Sequence, residues 1–402
     1  MSTAFHTLNI LYLLTFFCLF GAGRYSMIGY GLLLAYLILS FLFYPKQATY
    51  AFFSKKALPL YIYLLFLLLT GKMNFVYPTI QFIILVPLLI LNFQISLIDK
   101  QPKLLKSQVY YNITLYFILL FFIIQYLIFI WENPMAARYL VSTNKDETVS
   151  IGGGFSMPYG LCLLIPFLFR VLKEYKMPYI NKIVVVSFIL ISSFLIVRSS
   201  YTTAIVLLFV GIAYSFICNS SLHNQIYFFI FALVFAIPLF EIIPSVVSYI
   251  NPDSYVLEDR IEEMRLILSD ADNVTEGDFG SRIALAKSSL LTFLEYPIFG
   301  AGPVVGYNYS ALWRAGVGSH CEWIDIFARY GLFALLIIRY FAANISSKAP
   351  VHKATLVMFV LLGFLNPVML NQIIIVVFYL VPMTNYLLKS SNSTTVIRLK
   401  HS

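Results

Sequence analysis

The sequence predicts an all-α membrane protein, a polytopic helical bundle with about 12 transmembrane helices in a single multi-pass domain over residues 1–402. Two observations support this fold class. Hydrophobic residues make up 60% of the 402 residues and charged residues only 11%, a composition outside that of soluble domains. The apolar residues also form long unbroken runs, whereas strands of a membrane β-barrel would alternate over about 10 residues.

Apolar runs that approach the length needed to cross a bilayer, about 20 residues, recur along the chain. Their centres lie near Leu14, Leu34, Leu65, Leu85, Phe121, Leu164, Phe188, Leu208, Val234, Ala334, Phe359 and Val377. The first run has neither a basic segment before it nor a small-residue cleavage site, so we expect a retained helix rather than a signal peptide. Pro87 and Pro166 fall inside two runs, which leaves the helix boundaries there open to a small shift.

Lysine and arginine concentrate in alternate connections between these runs. The basic clusters lie around Lys55, Lys103, Lys173 and Lys353. Because short cytoplasmic loops keep an excess of Lys and Arg, we predict that both termini are cytoplasmic. The net charge of +9 then reflects this bias and an attraction to anionic lipid. No basic groove with interleaved aromatic residues points to nucleic acid as a partner.

A long outer connection, residues 248–320, is predicted between the ninth and tenth helices. Loops of this length in compact proteins are usually functional or disordered. Apolar residues recur at helical spacing in two parts of it, around Ile261 and again at Ile283, Leu290 and Leu294. We therefore expect short amphipathic helices that lie at the membrane surface with their apolar faces down.

The cysteine and acidic residues do not indicate a metal site. None of the four cysteines belongs to a C-x-x-C pair, so neither a disulfide framework nor a zinc site is predicted. The acidic stretch from Asp270 to Asp278 departs from the spacing of a calcium loop and is interpreted as a solvated linker. We expect no metal and no other cofactor.

His320 and Arg282 are the strongest candidates for chemistry on the outer side. The other histidines fall on the predicted inner side. The unperturbed pKa of histidine, about 6.5, suits proton transfer near neutral pH, although a lone histidine at a helix start is as often a capping residue. We predict that Arg282 opens a loop helix, where its guanidinium and the helix N-terminus would favour a phosphate or diphosphate. The alternative is an arginine that anchors to lipid headgroups.

Two further groups of polar residues are candidates for substrate binding. Arg198 lies at the outer end of the seventh run, just before Tyr201, where an interfacial anchor is the alternative role. Glu322, Asp325 and Arg329 lie at positions i, i+3 and i+7 and so share one face of the tenth helix. Asp325 and Arg329 are spaced to form an ion pair, and a structural pair facing the bundle is the competing interpretation.

These residues together resemble the bacterial O-antigen ligase and polysaccharide polymerase superfamily, which includes the Wzy-type polymerases. The family pattern is an arginine that opens a helix, then P-x-x-G-x-G, then a histidine before a helix with an acidic residue and a Y/L-G pair. In this chain the pattern is matched by Ser281-Arg282-Ile283, Pro297-Ile298-Phe299-Gly300-Ala301-Gly302, Gly318-Ser319-His320-Cys321, Asp325 and Arg329-Tyr330-Gly331.

Two other segments bear on this resemblance. Gly152-Gly153-Gly154-Phe155, with Tyr159, is similar to the glycine-aromatic segment of capsule-type polymerases. The family often places a second arginine at the turn between the seventh and eighth helices. Here Tyr201 occupies that position and Arg198 lies three residues earlier, so the resemblance extends to Arg198 with this departure.

The resemblance implies a membrane glycosyltransferase in the bacterial inner membrane, with the long loop in the periplasm. Its donor would be a glycan on undecaprenyl diphosphate, and its acceptor a sugar hydroxyl of the next lipid-linked repeat unit. Arg282 would neutralise the diphosphate and His320 would act as the base, which contributes about 10²–10⁴ in rate. The product would be O-antigen or capsular polysaccharide, and a flippase and chain-length regulator proteins are the implied protein partners.

Two other functions stay open at this point. An O-antigen ligase would use the same donor but transfer the glycan to lipid A core. The residues from Ser319 to Gly331 resemble the polymerases more than the ligases. A flippase or transporter for lipid-linked oligosaccharides would need charged residues along a central cavity and two similar halves, whereas this chain keeps its polar residues at the outer rim and shows no internal repeat.

Overall fold

The structure is a computed structural model that describes residues 2–20, 26–71, 75–132, 154–232, 234, 278–301 and 321–400. All regular secondary structure within these residues is helical, and none of it is strand. The all-α class is therefore confirmed for this part of the chain.

The described residues between 2 and 217 form ten α-helices. They are α1 Ser2–Phe20, α2 Ser26–Phe43, α3 Pro45–Phe52, α4 Leu58–Thr70, α5 Val76–Leu85, α6 Pro87–Lys100, α7 Leu104–Phe129, α8 Ser156–Glu174, α9 Tyr179–Arg198 and α10 Thr202–Ile217. Residues 222–232 are also helical.

The C-terminal part continues the helical pattern, with two short departures from α geometry. Its α-helices are α11 Asp278–Glu295, α12 Glu322–Tyr330, α13 Ala334–Asn344, α14 Lys353–Leu365, α15 Asn371–Ile375 and α16 Val381–Lys400. A 3₁₀ turn over Gly331–Phe333 joins α12 to α13, and a π-helical segment over Val376–Leu380 joins α15 to α16.

Within the described ranges, six helical stretches are long and apolar enough to cross a membrane. They are Thr3–Phe20, Leu104–Phe129, Ser156–Glu174, Tyr179–Arg198, Glu322–Asn344 and Asn371–Ser391. The pair α5 and α6 would be a seventh span with a bend of 43°, and α2, α4, α10 and α14 are shorter apolar helices. Every predicted centre except Val234 falls in one of these helices. The ninth predicted span continues into residues outside the description, so the total of about 12 stays a prediction.

The two prolines inside predicted spans have different outcomes. Pro87 is the first residue of α6, directly after the bend from α5. A proline is tolerated there because the first N–H groups of a helix have no partner within the helix. Pro166 lies inside α8 without ending it. It packs against α10 so closely that a Cβ added to Gly211 would come within 2.7 Å of the proline ring.

Helix α8 lies at the centre of the described bundle. It packs against α9, α10, α14 and α15, and 83% of its span window is buried. Helix α9 is peripheral, with only 28% of its window buried and large apolar side chains such as Leu190 exposed. Apolar side chains exposed on a spanning helix are suited to contact with lipid tails.

Of the predicted loop over residues 248–320, the structure describes residues 278–301. The expected helix around Ile261 lies outside the described residues, as do His320 and Gly302. The second expected helix is present as α11. Its apolar residues Ile283, Leu290 and Leu294 are exposed on the protein surface, as a face directed to the membrane surface would be.

Candidate functional site

Arg282 lies on α11, one turn inside the helix. The prediction that Arg282 opens this helix is wrong, because α11 begins at Asp278. The favourable charge of a helix N-terminus falls off within the first turn, so the helix end contributes less at Arg282 than expected. The half-buried guanidinium donates from Nη1 to the carbonyl oxygen of Leu365 at 3.3 Å. Arg282 therefore sits where α11 meets the end of α14.

Two buried tyrosines join Arg282 at this position. Tyr159 on α8 lies within electrostatic range of Arg282 and forms a hydrogen bond with the hydroxyl of Thr203 on α10. The ring of Tyr201 lies 6.1 Å from the ring of Tyr159. Arg282, Tyr159, Tyr201, Thr203 and the Leu365 carbonyl are called the Arg282 cluster below. It combines a cation with phenol and hydroxyl groups at one end of α8, α10 and α14.

The turn between α9 and α10 sends its two candidate residues in different directions. Arg198 ends α9, and its guanidinium donates to the carbonyl of Trp131 beyond the end of α7. Ser200 is buried and has a φ of 55°, a left-handed conformation that costs a non-glycine residue about 1–2 kcal/mol. This strained turn directs Tyr201 into the Arg282 cluster, while Arg198 is tied to α7.

Asp325 is held by three groups at the start of α12. Its side chain is almost fully buried, and its Oδ1 accepts a hydrogen bond of 2.6 Å from the hydroxyl of Ser289 on α11. Oδ2 accepts from the backbone N–H of Cys321 at 3.3 Å and lies 3.8 Å from Nη2 of Arg329. The predicted pairing of Asp325 with Arg329 is therefore confirmed. The carboxylate also caps α12 and joins it to α11.

Glu322 contacts the turn that follows α14. Its buried Oε2 accepts hydrogen bonds from the backbone N–H groups of Val368 at 3.0 Å and Met369 at 3.3 Å. The carbonyl bound by Arg282 belongs to Leu365, at the start of the same turn. Glu322 and Arg282 therefore hold this turn from two sides. The substrate-binding role of Glu322 stays a prediction.

Arg329 lies among aromatic side chains from α4 and α5. Tyr77 and Glu322 are within its electrostatic range, and the hydroxyls of Tyr77 and Tyr330 share a hydrogen bond. The ring of Tyr63 meets that of Tyr330 edge-on, at 5.5 Å between centroids. Neither Tyr63 nor Tyr77 could be predicted as a site residue from the sequence. Both lie in unbroken apolar runs, where a tyrosine gives no local signal of function.

Two glycines of the sequence pattern allow α11 and α12 to dock backbone to backbone. Gly300 has a φ of 69° and Gly331 a φ of 55°. A Cβ on Gly300 would lie 2.3 Å from the carbonyl carbon of Arg329, and one on Gly331 would lie 2.4 Å from the carbonyl oxygen of Ile298. Two hydrogen bonds close the contact, from Ala301 N–H to Ala328 and from Leu332 N–H to Pro297, at 2.8 and 2.9 Å. Only glycine fits both positions.

Helix α12 begins at Glu322 with Cys321 as its N-cap residue, so His320 precedes the helix in sequence. The geometry of His320 itself lies outside the described residues. No group of three or more His, Cys, Asp or Glu side chains is placed to hold a metal ion in the described ranges. The structure therefore forms two groups of candidate residues. Arg282 lies with Tyr159 and Tyr201. Glu322, Asp325 and Arg329 lie on the adjoining helix α12.

Comparison with known protein families finds a match over part of the chain. Residues 186–338 match the family model described as O-Antigen ligase. The matched region runs from within α9 to within α13, so it contains α11, α12, Tyr201 and both glycine positions. No curated protein matches the chain.

Proposed function

Because the chain belongs to the O-antigen ligase and polymerase superfamily, we propose that it is a polysaccharide polymerase. In this proposal it transfers a glycan from undecaprenyl diphosphate to a hydroxyl of the next lipid-linked repeat unit, at the outer face of the bacterial inner membrane. The observation that carries the proposal is the Arg282 cluster. It offers a cation for a diphosphate and hydroxyl groups for a sugar, at one end of a membrane-embedded helix bundle.

Arg282 suits the leaving group. The acceptor hydroxyl oxygen attacks the anomeric carbon, and the bond between that carbon and the diphosphate oxygen breaks. The diphosphate leaves with the bonding electron pair, so negative charge develops on its oxygens. A guanidinium binds two phosphate oxygens at once and is most effective where water is excluded. Leu365 now accepts from Nη1, and the diphosphate would replace or share this weak contact.

The proton of the acceptor hydroxyl needs a base. His320 is our candidate for it, because it is the histidine nearest in sequence to the start of α12 and neutral imidazole accepts a proton near pH 7. Arg198, Glu322, Asp325 and Arg329 complete the proposed substrate-binding set. A flippase that supplies the repeat units and a chain-length regulator are the proposed protein partners.

An O-antigen ligase is the second candidate, because the matching family model carries that description. The two functions share the donor and differ in the acceptor. The surface glycans of a strain that lacks this protein separate them. A polymerase defect leaves single repeats on the cell surface and removes long chains. A ligase defect removes every repeat from lipid A core.

A variant of Arg282 tests the site itself. We expect Arg282→Lys to shorten or abolish the glycan, because lysine keeps the charge but loses the bidentate fork. Lys287→Arg on the exposed side of α11 is the matched control and should retain full chain length. Both proteins should accumulate in the membrane at wild-type levels. Full-length glycan from a normally expressed Arg282→Lys variant would make Arg282 a lipid-headgroup anchor instead.

A further inference from the structure

The three helices that meet at the Arg282 cluster carry a second polar cluster at their opposite ends. At the Arg282 cluster, Tyr159 lies near the start of α8, Thr203 near the start of α10, and Leu365 at the end of α14. The other ends carry Arg170 and Glu174 on α8, Cys218 after α10, and His352 before α14. Along α8 alone, Tyr159 and Arg170 are separated by about 16 Å of helix rise. The second cluster therefore cannot be part of the first.

Arg170 is the buried centre of this second cluster. It is only 9% exposed, and its guanidinium pairs with Glu174 one turn further along α8. Its Nε atom is buried and has no hydrogen-bond partner among the residues that the structure describes. Because burying an N–H donor without a partner is costly, this atom has capacity for an acceptor.

His352 approaches the same place from α14. Its ring packs against Phe167, at 5.7 Å between centroids, and Phe167 lies one turn before Arg170 on α8. Its Nδ1 atom is also buried without a partner in the described part of the chain. Burial and the nearby Arg170 charge lower the pKa of His352 to about 4, so the imidazole is neutral at pH 7 and adds no charge to the cluster.

The N-terminus of α14 supplies further donors. His352 is the N-cap residue of this 13-residue helix, and Lys353 is its first residue. The first N–H groups of a helix lack internal acceptors and form a favourable position for an anion. Arg170, Lys353 and Glu174 all lie within electrostatic range of the Cys218 thiol, which places their charges in one neighbourhood.

We propose that this cluster, formed by Arg170, His352, Lys353 and the N-terminus of α14, is a binding site for a phosphate group. Two cations face one carboxylate, so the site is net positive. It lies among the lysines of its face of the protein, including the exposed Lys173 and Lys176. Basic pockets between membrane helices are suited to anionic headgroups. The phosphate can come from a phospholipid of the adjoining leaflet or from a phosphorylated solute.

The Glu174 carboxylate should affect the affinity of the site for phosphate. Its carboxylate and the phosphate would compete for the same guanidinium, so Glu174 weakens the site as it stands. Replacing Glu174 by glutamine should therefore increase phosphate affinity. A surface that attracts lipid only through its total charge would respond to the loss of any one carboxylate in the same way, so Asp99→Asn, which removes a carboxylate paired with Lys348, should match Glu174→Gln only in that case.

Native mass spectrometry of the purified full-length protein in detergent can measure this binding. The probes are phosphatidylglycerol, zwitterionic phosphatidylcholine and inorganic phosphate. We expect Lys353→Gln to weaken phosphatidylglycerol binding about tenfold, since one charge-assisted hydrogen bond is lost. Glu174→Gln should tighten it severalfold. Lys182→Gln removes the same charge from an exposed position at the start of α9 and serves as the matched control.

Each outcome decides the proposal. Weakening by Lys353→Gln with an unchanged Lys182→Gln supports the site, and competition by inorganic phosphate identifies a soluble source rather than a lipid. Equal weakening by both lysine variants would show diffuse surface attraction and overturn the proposal. If neither phosphatidylglycerol nor inorganic phosphate binds, the proposal is overturned as well. Arg170→Gln is a supporting variant only, because a buried arginine could be needed for folding.

Discussion

The hydrogen bond between Ser289 and Asp325 should determine how α11 presents Arg282. Ser289 is fully buried, whereas the neighbouring apolar side chains of α11 are exposed. Its hydroxyl donates to Asp325 at 2.6 Å. Arg282 lies seven residues earlier, which is two helical turns and therefore the same face of α11. In the proposed function Ser289 would therefore act through the position of α11, the helix that carries Arg282.

The cost of Ser289→Ala follows from this contact. A hydrogen bond to a charged acceptor is worth about 1.5–3 kcal/mol, and the Asp325 carboxylate would stay buried after the loss. We expect α11 to detach or shift on α12. Because a misplacement of about 1 Å can cost about 10²-fold in rate, activity should fall more steeply than overall stability. The backbone docking at Gly300 and Gly331 should keep the protein folded.

Ser288→Ala is the matched control, since it removes the same hydroxyl one position away on a half-buried side chain. Initial rates with purified lipid-linked repeat units and thermal unfolding in detergent would be measured for both variants. We expect kcat to fall by about tenfold or more for Ser289→Ala and to stay near wild type for Ser288→Ala. Recovery in Ser289→Thr, which keeps the hydroxyl, would support positioning. Equal rates for the two alanine variants would refute the reasoning.

Three further predictions follow from other parts of the molecule. Gly331→Ala should prevent accumulation of folded protein, because the added Cβ would lie 2.4 Å from the carbonyl oxygen of Ile298 and the backbone has a positive φ. The measurement is the yield of detergent-solubilised protein. Gly31→Ala is the control and should leave this yield unchanged, since no atom lies within 4 Å of its added Cβ. His320→Ala should abolish turnover but retain donor binding, and an alanine variant with a normal rate would contradict the role of His320 as the base. Wild-type activity should also fall as pH drops below about 6.5, because only the neutral imidazole accepts a proton. The pKa of His352 is lowered to about 4 in the folded protein, so its contribution to stability is complete above pH 6.5 and is lost as pH falls towards 4. His352→Phe should therefore show a shallower decline of melting temperature over that range than wild type.

Local periodicity was sufficient to predict the helical part of this structure. Unbroken apolar runs gave the fold class and the helix centres, because a chain in lipid must satisfy its backbone within each helix. The same reasoning predicted α11 from Ile283, Leu290 and Leu294, and the i, i+4 pairing of Asp325 with Arg329. The predicted start of α11 is four residues late, because Gly280 and Ser281 are typical of a helix start but lie inside the helix.

Contacts between distant segments could not be predicted from the residues alone. Nothing local to Tyr159 indicates Arg282 as its neighbour, because α8 and α11 are brought together only by the packing of the bundle. The docking of Gly300 against Arg329 is likewise a backbone contact, and no side-chain pattern encodes it. Ser289 gave no signal because a serine on an amphipathic helix is ordinarily solvent-exposed.

The arrangement of charges on α12 clarifies how a diphosphate could be accepted nearby. Glu322 and Asp325 both carry carboxyl groups, and free carboxylates here would repel a diphosphate donor. The structure instead engages each one: Glu322 accepts two backbone N–H groups, and Asp325 accepts Ser289 and Cys321 beside Arg329. Hydrogen bonds to a carboxylate disperse its charge. In the proposed function these two acidic residues would build the walls of the site, and Arg282 would be the cation that faces the donor.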